Sequence, residues 1–173
     1  MSKCLIVVDY QNDFVDGTLG FPGAELLEDG IVIKINEYRS RSDTIIYTFD
    51  THYDDYLNTL EGKNLPVKHC LQDTDGHRLY GKVADTLKAT DKVFHKNTFG
   101  SDELFLYLKK HKFDKIELVG LVSNICVTAN AVLAKTAQPE TLVIVDSSLT
   151  ASFDSELHDA ALKVLKGLQI EVV

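Results

Sequence analysis

The chain has 173 residues, 45% of them hydrophobic, which is enough apolar material for one full core and too little for two comfortable domains. Its 18 Lys and Arg against 26 Asp and Glu leave a formal charge of -8, and this excludes broad docking on nucleic acid or an anionic membrane, because both need a positive field. Three cysteines without paired spacing, no basic-then-apolar leader and no apolar run of membrane-spanning length give the expectation of a cytoplasmic protein, one domain over residues 1–173, acting on a small molecule without a disulfide framework.

The first apolar, β-branched run, Cys4–Val8, reads as a strand and ends at the carboxylate of Asp9. Helical spacing follows over Leu26–Arg41, then a second strand over Thr44–Thr48. From Asp50 to Lys82 the rhythm stops, and this long segment carries His52, Glu61, His69 and His77 among many acids. A loop of that length inside a compact domain is usually functional. A short strand at Lys92–Phe94 leads to His95 and Lys96. Next come a helix over Asp102–Lys110 with Ser101 as its N-cap, a strand over Lys115–Gly120, and a helix over Ser123–Thr136 containing Cys126. The strand Thr141–Val145, a helix over Ser155–Lys166 with Asp154 or Ser155 as its N-cap and stopped by Gly167, and the run Gln169–Val173 complete the chain. On the last helix Leu157, Ala161 and Leu165 fall on one face, as Leu104 and Leu108 do on the Asp102–Lys110 helix. Strands alternating with helices predict an α/β fold, a parallel sheet held between two helical layers.

Ligands of such sheets collect at the carboxyl ends of the strands, where Asp9, Lys96 and Cys126 all fall. Either Asp9 or Lys96 alone reads equally well as a turn or surface residue; three polar groups at the same end of three strands read as a site. A thiol at a helix entrance meets partial positive charge and free N–H groups, which favour the thiolate and can hold an oxyanion. Cysteine attack on an amide also needs a group that takes the thiol proton and returns it to the departing nitrogen, a task open to Asp9, with Lys96 holding the charges in place. Asp50, His52, Glu61 and His69 mix carboxylate with imidazole, a ligand set suited to zinc, with manganese or iron as alternatives. Asp50 and His52 are two apart on extended chain, so their side chains share one side. Such a metal can polarise a ring nitrogen or a carbonyl. Phe14 and Phe99, just beyond Asp9 and Lys96, can wall an aromatic slot. His77, His95, His111 and His158 lack such neighbours and read as surface residues.

At Asp9-Tyr10-Gln11-Asn12-Asp13-Phe14, Asp50-Thr51-His52, His69-Cys70-Leu71-Gln72-Asp73, His95-Lys96 and Gly120-Leu121-Val122-Ser123-Asn124-Ile125-Cys126-Val127, the chain resembles the isochorismatase-like cysteine hydrolases, and within them the nicotinamidase branch. The resemblance spans nearly the whole chain. It implies a three-layer α/β/α fold with a mostly parallel, six-stranded, Rossmann-like sheet, and a triad in which Cys126 attacks a carboxamide, Asp9 is base and then acid, and Lys96 stabilises the pair. It also implies a cis peptide between Leu121 and Val122 that turns the Val122 N–H toward the oxyanion. A metal on Asp50, His52 and His69, with Glu61 as fourth ligand, completes the picture, and the reaction converts nicotinamide to nicotinate and ammonia in pyridine nucleotide salvage.

Isochorismate-cleaving relatives lack the cysteine, and carbamoylsarcosine-type amidases lack the metal ligands, so the combination here favours the nicotinamidase branch. The chain departs from many of its members in having no tryptophan and in carrying Tyr53-Asp54-Asp55 after the Asp-x-His pair. An amidase for another small amide or carbamoyl compound stays open at this point. A nucleotide- or flavin-binding module is the remote alternative, disfavoured because no Gly-x-Gly-x-x-Gly or Gly-x-x-x-x-Gly-Lys follows a strand. Edge strands would permit a homo-oligomer.

Overall fold

The computed structural model describes residues 2–173. Strand β1 (Lys3–Val8) is followed by the one-turn helix α1 (Asn12–Val15), helix α2 (Glu28–Ser40), β2 (Thr44–Asp50), the short helices α3 (Leu60–Asn64) and α4 (Gly81–Thr86), and β3 (Lys92–Lys96). Helix α5 (Asp102–Lys110), β4 (Lys115–Leu121), α6 (Thr128–Ala137), β5 (Leu142–Ala151), α7 (Ser155–Gly167) and β6 (Glu171–Val172) complete the described chain. The six strands form one sheet in the order β3-β2-β1-β4-β5-β6, and every pairing is parallel.

The central strand shows why the sheet is covered on both faces. Successive side chains of a strand point to opposite sides, so Leu5 and Val7 join Ile31, Ile35 and Tyr38 of α2 in one core. Cys4, Ile6 and Val8 pack on the other face with Leu104 and Leu108 of α5, Ala131 and Ala134 of α6, and Leu165 of α7. Burying a leucine-sized side chain contributes about 2 kcal/mol, and β1 is apolar throughout from Cys4 to Val8, as two covered faces require. The sole acid inside β4, Glu117, accepts from Tyr38 Oη at 2.6 Å and Lys34 Nζ at 2.8 Å, and Lys115 Nζ stands 2.7 Å away.

The predicted caps form: Ser101 Oγ accepts from Leu104 N–H at 3.1 Å, and Asp154 Oδ1 from Leu157 N–H at 2.9 Å. Leu157 itself is exposed; Ala161 and Leu165 carry that face of α7. Gly167 is the last residue of α7, and the left-handed residue beyond it is Gln169, at φ 60°. The Asp50–Lys82 segment is less irregular than its sequence suggests. It contains α3 and the start of α4, with single 3-10 turns at Tyr56–Asn58 and Asp75–His77. No described helix is long and apolar enough to cross a membrane.

The chain runs β1, β2, β3 toward one edge and then returns to place β4 on the other side of β1. The strand order reverses there, so a crevice opens beyond the carboxyl ends of β1 and β4. Gly120 makes the approach close: it pairs with Val8 at φ 109°, and a Cβ built there would run into the Val8 carbonyl oxygen.

Candidate active site

Three strand ends deliver three reactive groups to this crevice. Asp9 follows β1 and adopts φ 45°, a left-handed conformation that is uncommon outside glycine and ends the extended run; its carboxylate is fully buried. Oδ1 accepts from Thr48 Oγ1 at 2.7 Å. Oδ2 stands 2.6 Å from Lys96 Nζ in a buried ion pair, and a carboxylate oxygen so paired keeps a free lone pair that can take a proton. Lys96, the last residue of β3, donates to the Thr98 carbonyl at 3.0 Å, to Asp50 Oδ1 at 3.4 Å and to Cys126 Sγ at 3.6 Å.

Burial opposes the charge on Lys96, but Asp9, Cys126 and Asp50 surround the ammonium and carry its pKa well above the usual lysine value. Burial raises the pKa of Asp9 despite Lys96. The expected thiolate at a helix entrance is corrected by the structure. Ser123–Val127 forms a wide π turn, and α6 begins only at Thr128. Cys126 is buried within that turn, so desolvation, with Asp9 and Asp50 nearby, pushes its thiol well up against the opposing effect of Lys96. Burial thus favours the thiol over the thiolate, and Cys126 becomes nucleophilic when a neighbouring group takes its proton.

The peptide bond between Leu121 and Val122 is cis. The Val122 carbonyl accepts from Ile125 and Val127, whereas its N–H donates to no described group. Val122 and Cys126 both line a cavity of about 400 Å³, walled by Phe14, Leu19, Leu65, Phe99, Ile125 and Phe153. Phe14 and Phe99 thus stand where the sequence put them. The other apolar walls come from stretches whose sequence shows nothing distinctive.

Asp50, His69 and Glu61 reach the same cavity. Gln11 fixes the Asp50 backbone, donating from Nε2 to its carbonyl at 2.9 Å while Oε1 accepts its N–H at 2.8 Å. A parallel bridge between His52 and Leu71 brings the segments carrying His52 and His69 side by side, and Asp13 Oδ2 accepts the Cys70 N–H at 2.7 Å. Thr59 caps α3, with its hydroxyl oxygen accepting the Gly62 N–H at 3.0 Å, which presents Glu61.

The result is a cluster of Asp50, His52, Glu61 and His69 whose ligand atoms all lie within 4.8 Å of one another. His52 Nε2 is 3.1 Å from Asp50 Oδ2 and 3.7 Å from Glu61 Oε1; His69 Nε2 is 3.3 Å and 3.8 Å from the same two oxygens. Metal–ligand bonds of about 2.1 Å place neighbouring ligands of one cation roughly 3–4 Å apart, the range these four contacts span, so the donor set suits a borderline divalent cation. The Nδ1 of His69 lies 2.8 Å from the Val67 carbonyl, which orients Nε2 inward. Burial works against the charge of Asp50, but Lys96, His52 and His69 outweigh it and hold its carboxyl below the ordinary range.

Of the histidines read as surface residues, His111 is exposed and stacks on Tyr107. His77 and His95 stack on one another, and both approach Thr51 Oγ1, at 2.8 and 3.1 Å. His158 is partly buried, with Nδ1 2.8 Å from Ser123 Oγ. His77 and His158, both partly buried, correct the surface assignment, because hydroxyls distant in sequence partner their rings, whereas His95 is exposed as expected.

The isochorismatase domain model matches residues 3–173. This chain belongs to the isochorismatase family. The isochorismatase-family protein PncA of Bacillus subtilis is 30% identical to it over 174 residues, covering 94% of this chain and 93% of that one. The nicotinamidase of Saccharomyces cerevisiae is 28% identical over 214 residues, covering 99% of each. Among solved structures, B. subtilis nicotinamidase PncA superposes with a TM-score of 0.86 at 27% identity, covering 100% of this chain and 99% of that one. The Streptococcus mutans pyrazinamidase/nicotinamidase gives 0.88 at 27%, covering 99% and 100%. This family member thus shares its six-stranded α/β fold with those enzymes, and its relatives mark it as a hydrolase of the carboxamide C–N bond.

Proposed function

We propose that this protein, acting as one domain, is a metal-containing nicotinamidase that cleaves nicotinamide to nicotinate and ammonia through a thioester on Cys126. The observation that carries this reading is the meeting of Asp9, Cys126 and Asp50 around the Lys96 ammonium at one end of an aromatic-walled cavity.

Cys126 Sγ attacks the carboxamide carbon while the thiol proton passes to Asp9 Oδ2, the oxygen with a free lone pair. Lys96 keeps the carboxylate and the departing thiolate character paired. The N–H groups of Val122 and Cys126 receive the oxyanion; donors of this type contribute about 3 kcal/mol each in other hydrolases. Asp9 returns the proton to the amide nitrogen, ammonia leaves, and a thioester remains. Asp9 next takes a proton from water, whose oxygen attacks the thioester carbon. The Cys126 sulfur leaves and recovers its proton, giving nicotinate.

When a divalent cation is held by Asp50, His52, Glu61 and His69, it supplies Lewis acidity for a ring nitrogen or carbonyl of the substrate. The nitrogen and oxygen donors suit zinc, and manganese or iron share that chemistry. Phe14, buried beside His69 with ring centroids 5.6 Å apart, offers one apolar face to a flat ring, and Phe99 another.

The test is ammonia release from nicotinamide by purified protein, beside Cys126→Ala and a chelator-treated sample. Release abolished by the substitution and by chelation supports the reading. Release from other small amides alone, with metal verified as present, keeps the hydrolase and discards this substrate.

A further inference from the structure

Asn130 has no part in the chemistry above, yet it touches both sides of the site. It lies on α6 one turn beyond Cys126 and is fully buried. Nδ2 donates to the Cys126 carbonyl at 2.8 Å and to the Phe99 carbonyl at 3.1 Å, while Oδ1 accepts from the Ser101 N–H at 3.0 Å. Two acceptors on one end and a donor on the other fix the amide's orientation, since a flip would set oxygen against two carbonyls. A buried amide is costly wherever its bonds are unmade, so the three contacts hold together as a set.

The segment it grips follows directly on Lys96. Thr98 is fastened to Lys96 Nζ, and Gly100 lies so close to α6 that a Cβ there would come within 2.8 Å of Leu133 Cδ1. Phe99, between them, is 47% exposed and belongs to neither buried core. It nevertheless lines both the cavity at Cys126 and a neighbouring one of about 620 Å³, to which Tyr53 and Leu60 also contribute. With little packing of its own, the ring takes its place from the backbone beneath it, and Asn130 ties that backbone to the nucleophile's own carbonyl.

We infer that Asn130 is a positioning residue that sets the spacing between Cys126 and the Phe99 wall, and so selects flat aromatic carboxamides over aliphatic ones. This rests on the amidohydrolase reading for its substrate, though not for its geometry.

The discriminating variant is Asn130→Thr. A threonine hydroxyl on a helix can bond back to the carbonyl four residues earlier, which preserves the Cys126 contact, but it cannot span to Phe99 and Ser101. Asn130→Asp, which keeps the Ser101 acceptor and loses both donors, serves if the first variant fails to fold. For a folded variant, KM for nicotinamide should rise about tenfold with kcat within about threefold, a loss of binding shared by ground and transition states. Alkylation of Cys126, followed by peptide mass, should lose about tenfold in its preference for N-phenylmaleimide over N-methylmaleimide, and Phe99→Ala combined with Asn130→Thr should be no worse than Phe99→Ala alone.

An unchanged KM and reagent preference, or losses that add in the double variant, would overturn the inference. Wild-type protein inert toward nicotinamide would instead discard nicotinamide as its substrate, while the maleimide ratio still decides the role of Asn130.

Discussion

Asp50 turns its Oδ1 to the Lys96 ammonium at 3.4 Å, while its other oxygen faces the imidazoles of His52 and His69 at 3.1 and 3.3 Å. One carboxylate therefore belongs to both the charged triad and the metal-ligand cluster. His52 touches only the cluster, which lets the two roles be separated. Asp50→Asn should lose bound metal and also change the alkylation rate of Cys126, through the altered field at Lys96. His52→Ala should fall below about one metal ion per chain, as a site short of one ligand does, with Cys126 alkylation close to wild type. Metal analysis alongside thiol alkylation checks both. A His52→Ala protein that retains stoichiometric metal contradicts the assignment.

The Thr48 hydroxyl holds Asp9 at 2.7 Å. Burial raises the Asp9 pKa, and this hydrogen bond works in the opposite direction. Asp9 must be unprotonated to take the thiol proton, so activity should fall on the acid side, with a midpoint above the ordinary carboxylate value of 3.8. Thr48→Val removes the opposing bond and should move that midpoint further up, with kcat/KM at neutral pH down about tenfold. A pH profile of kcat/KM for both proteins is the measurement; a midpoint that stays or drops in Thr48→Val refutes the role.

Away from the site, Glu117 provides a stability test. Burial raises its pKa, but Lys115, Lys34 and Tyr38 outweigh that and leave it below the ordinary glutamate value of 4.5. A carboxyl depressed in the folded state contributes stability above its unfolded pKa and loses it as pH falls through the folded one. Stability should therefore decline below about pH 4.5 as Glu117 protonates. Glu117→Gln should be less stable at neutral pH and flatter in acid, measured by urea unfolding from pH 7 to 3. An acid decline equally steep in the variant would remove Glu117 from the account.

Gly120 closes β1 onto β4 at φ 109°, and an alanine there meets the Val8 carbonyl. Gly120→Ala should cost on the order of 3 kcal/mol, from strained backbone plus overpacking. Thermal unfolding within a degree of wild type would contradict the close approach.

The strands were legible because both faces of the sheet are covered: runs such as Leu5-Ile6-Val7-Val8 are apolar throughout, and few other contexts tolerate that. The candidate triad and the candidate metal cluster were legible because such chemistry demands particular residue types, with Asp9, Asp50 and Lys96 at or just beyond strand ends. The Ser101 and Asp154 caps were equally plain. What sequence spacing did not show depends on partners far along the chain. The upward push on the Cys126 thiol comes from full burial beside Asp9 and Asp50, residues more than seventy positions away. Thr48 and Asn130 are common residue types whose roles arise only when β2 meets β1 and α6 meets the Phe99 segment. A signal for Thr48 existed, a hydroxyl just before the carboxyl end of a buried strand, where a polar side chain must find a partner. Phe153 and Leu65 join the cavity through loops, with no periodicity to mark them.

The central claim is a covalent intermediate on Cys126, and rapid-quench mass spectrometry of protein mixed with nicotinamide tests it most directly. The account predicts a transient species heavier by one nicotinoyl group less a hydrogen, located on the peptide containing Cys126, labile to hydroxylamine and absent from Cys126→Ala. Ammonia release at the wild-type rate with no such species at any time, or turnover surviving in Cys126→Ala, would contradict it.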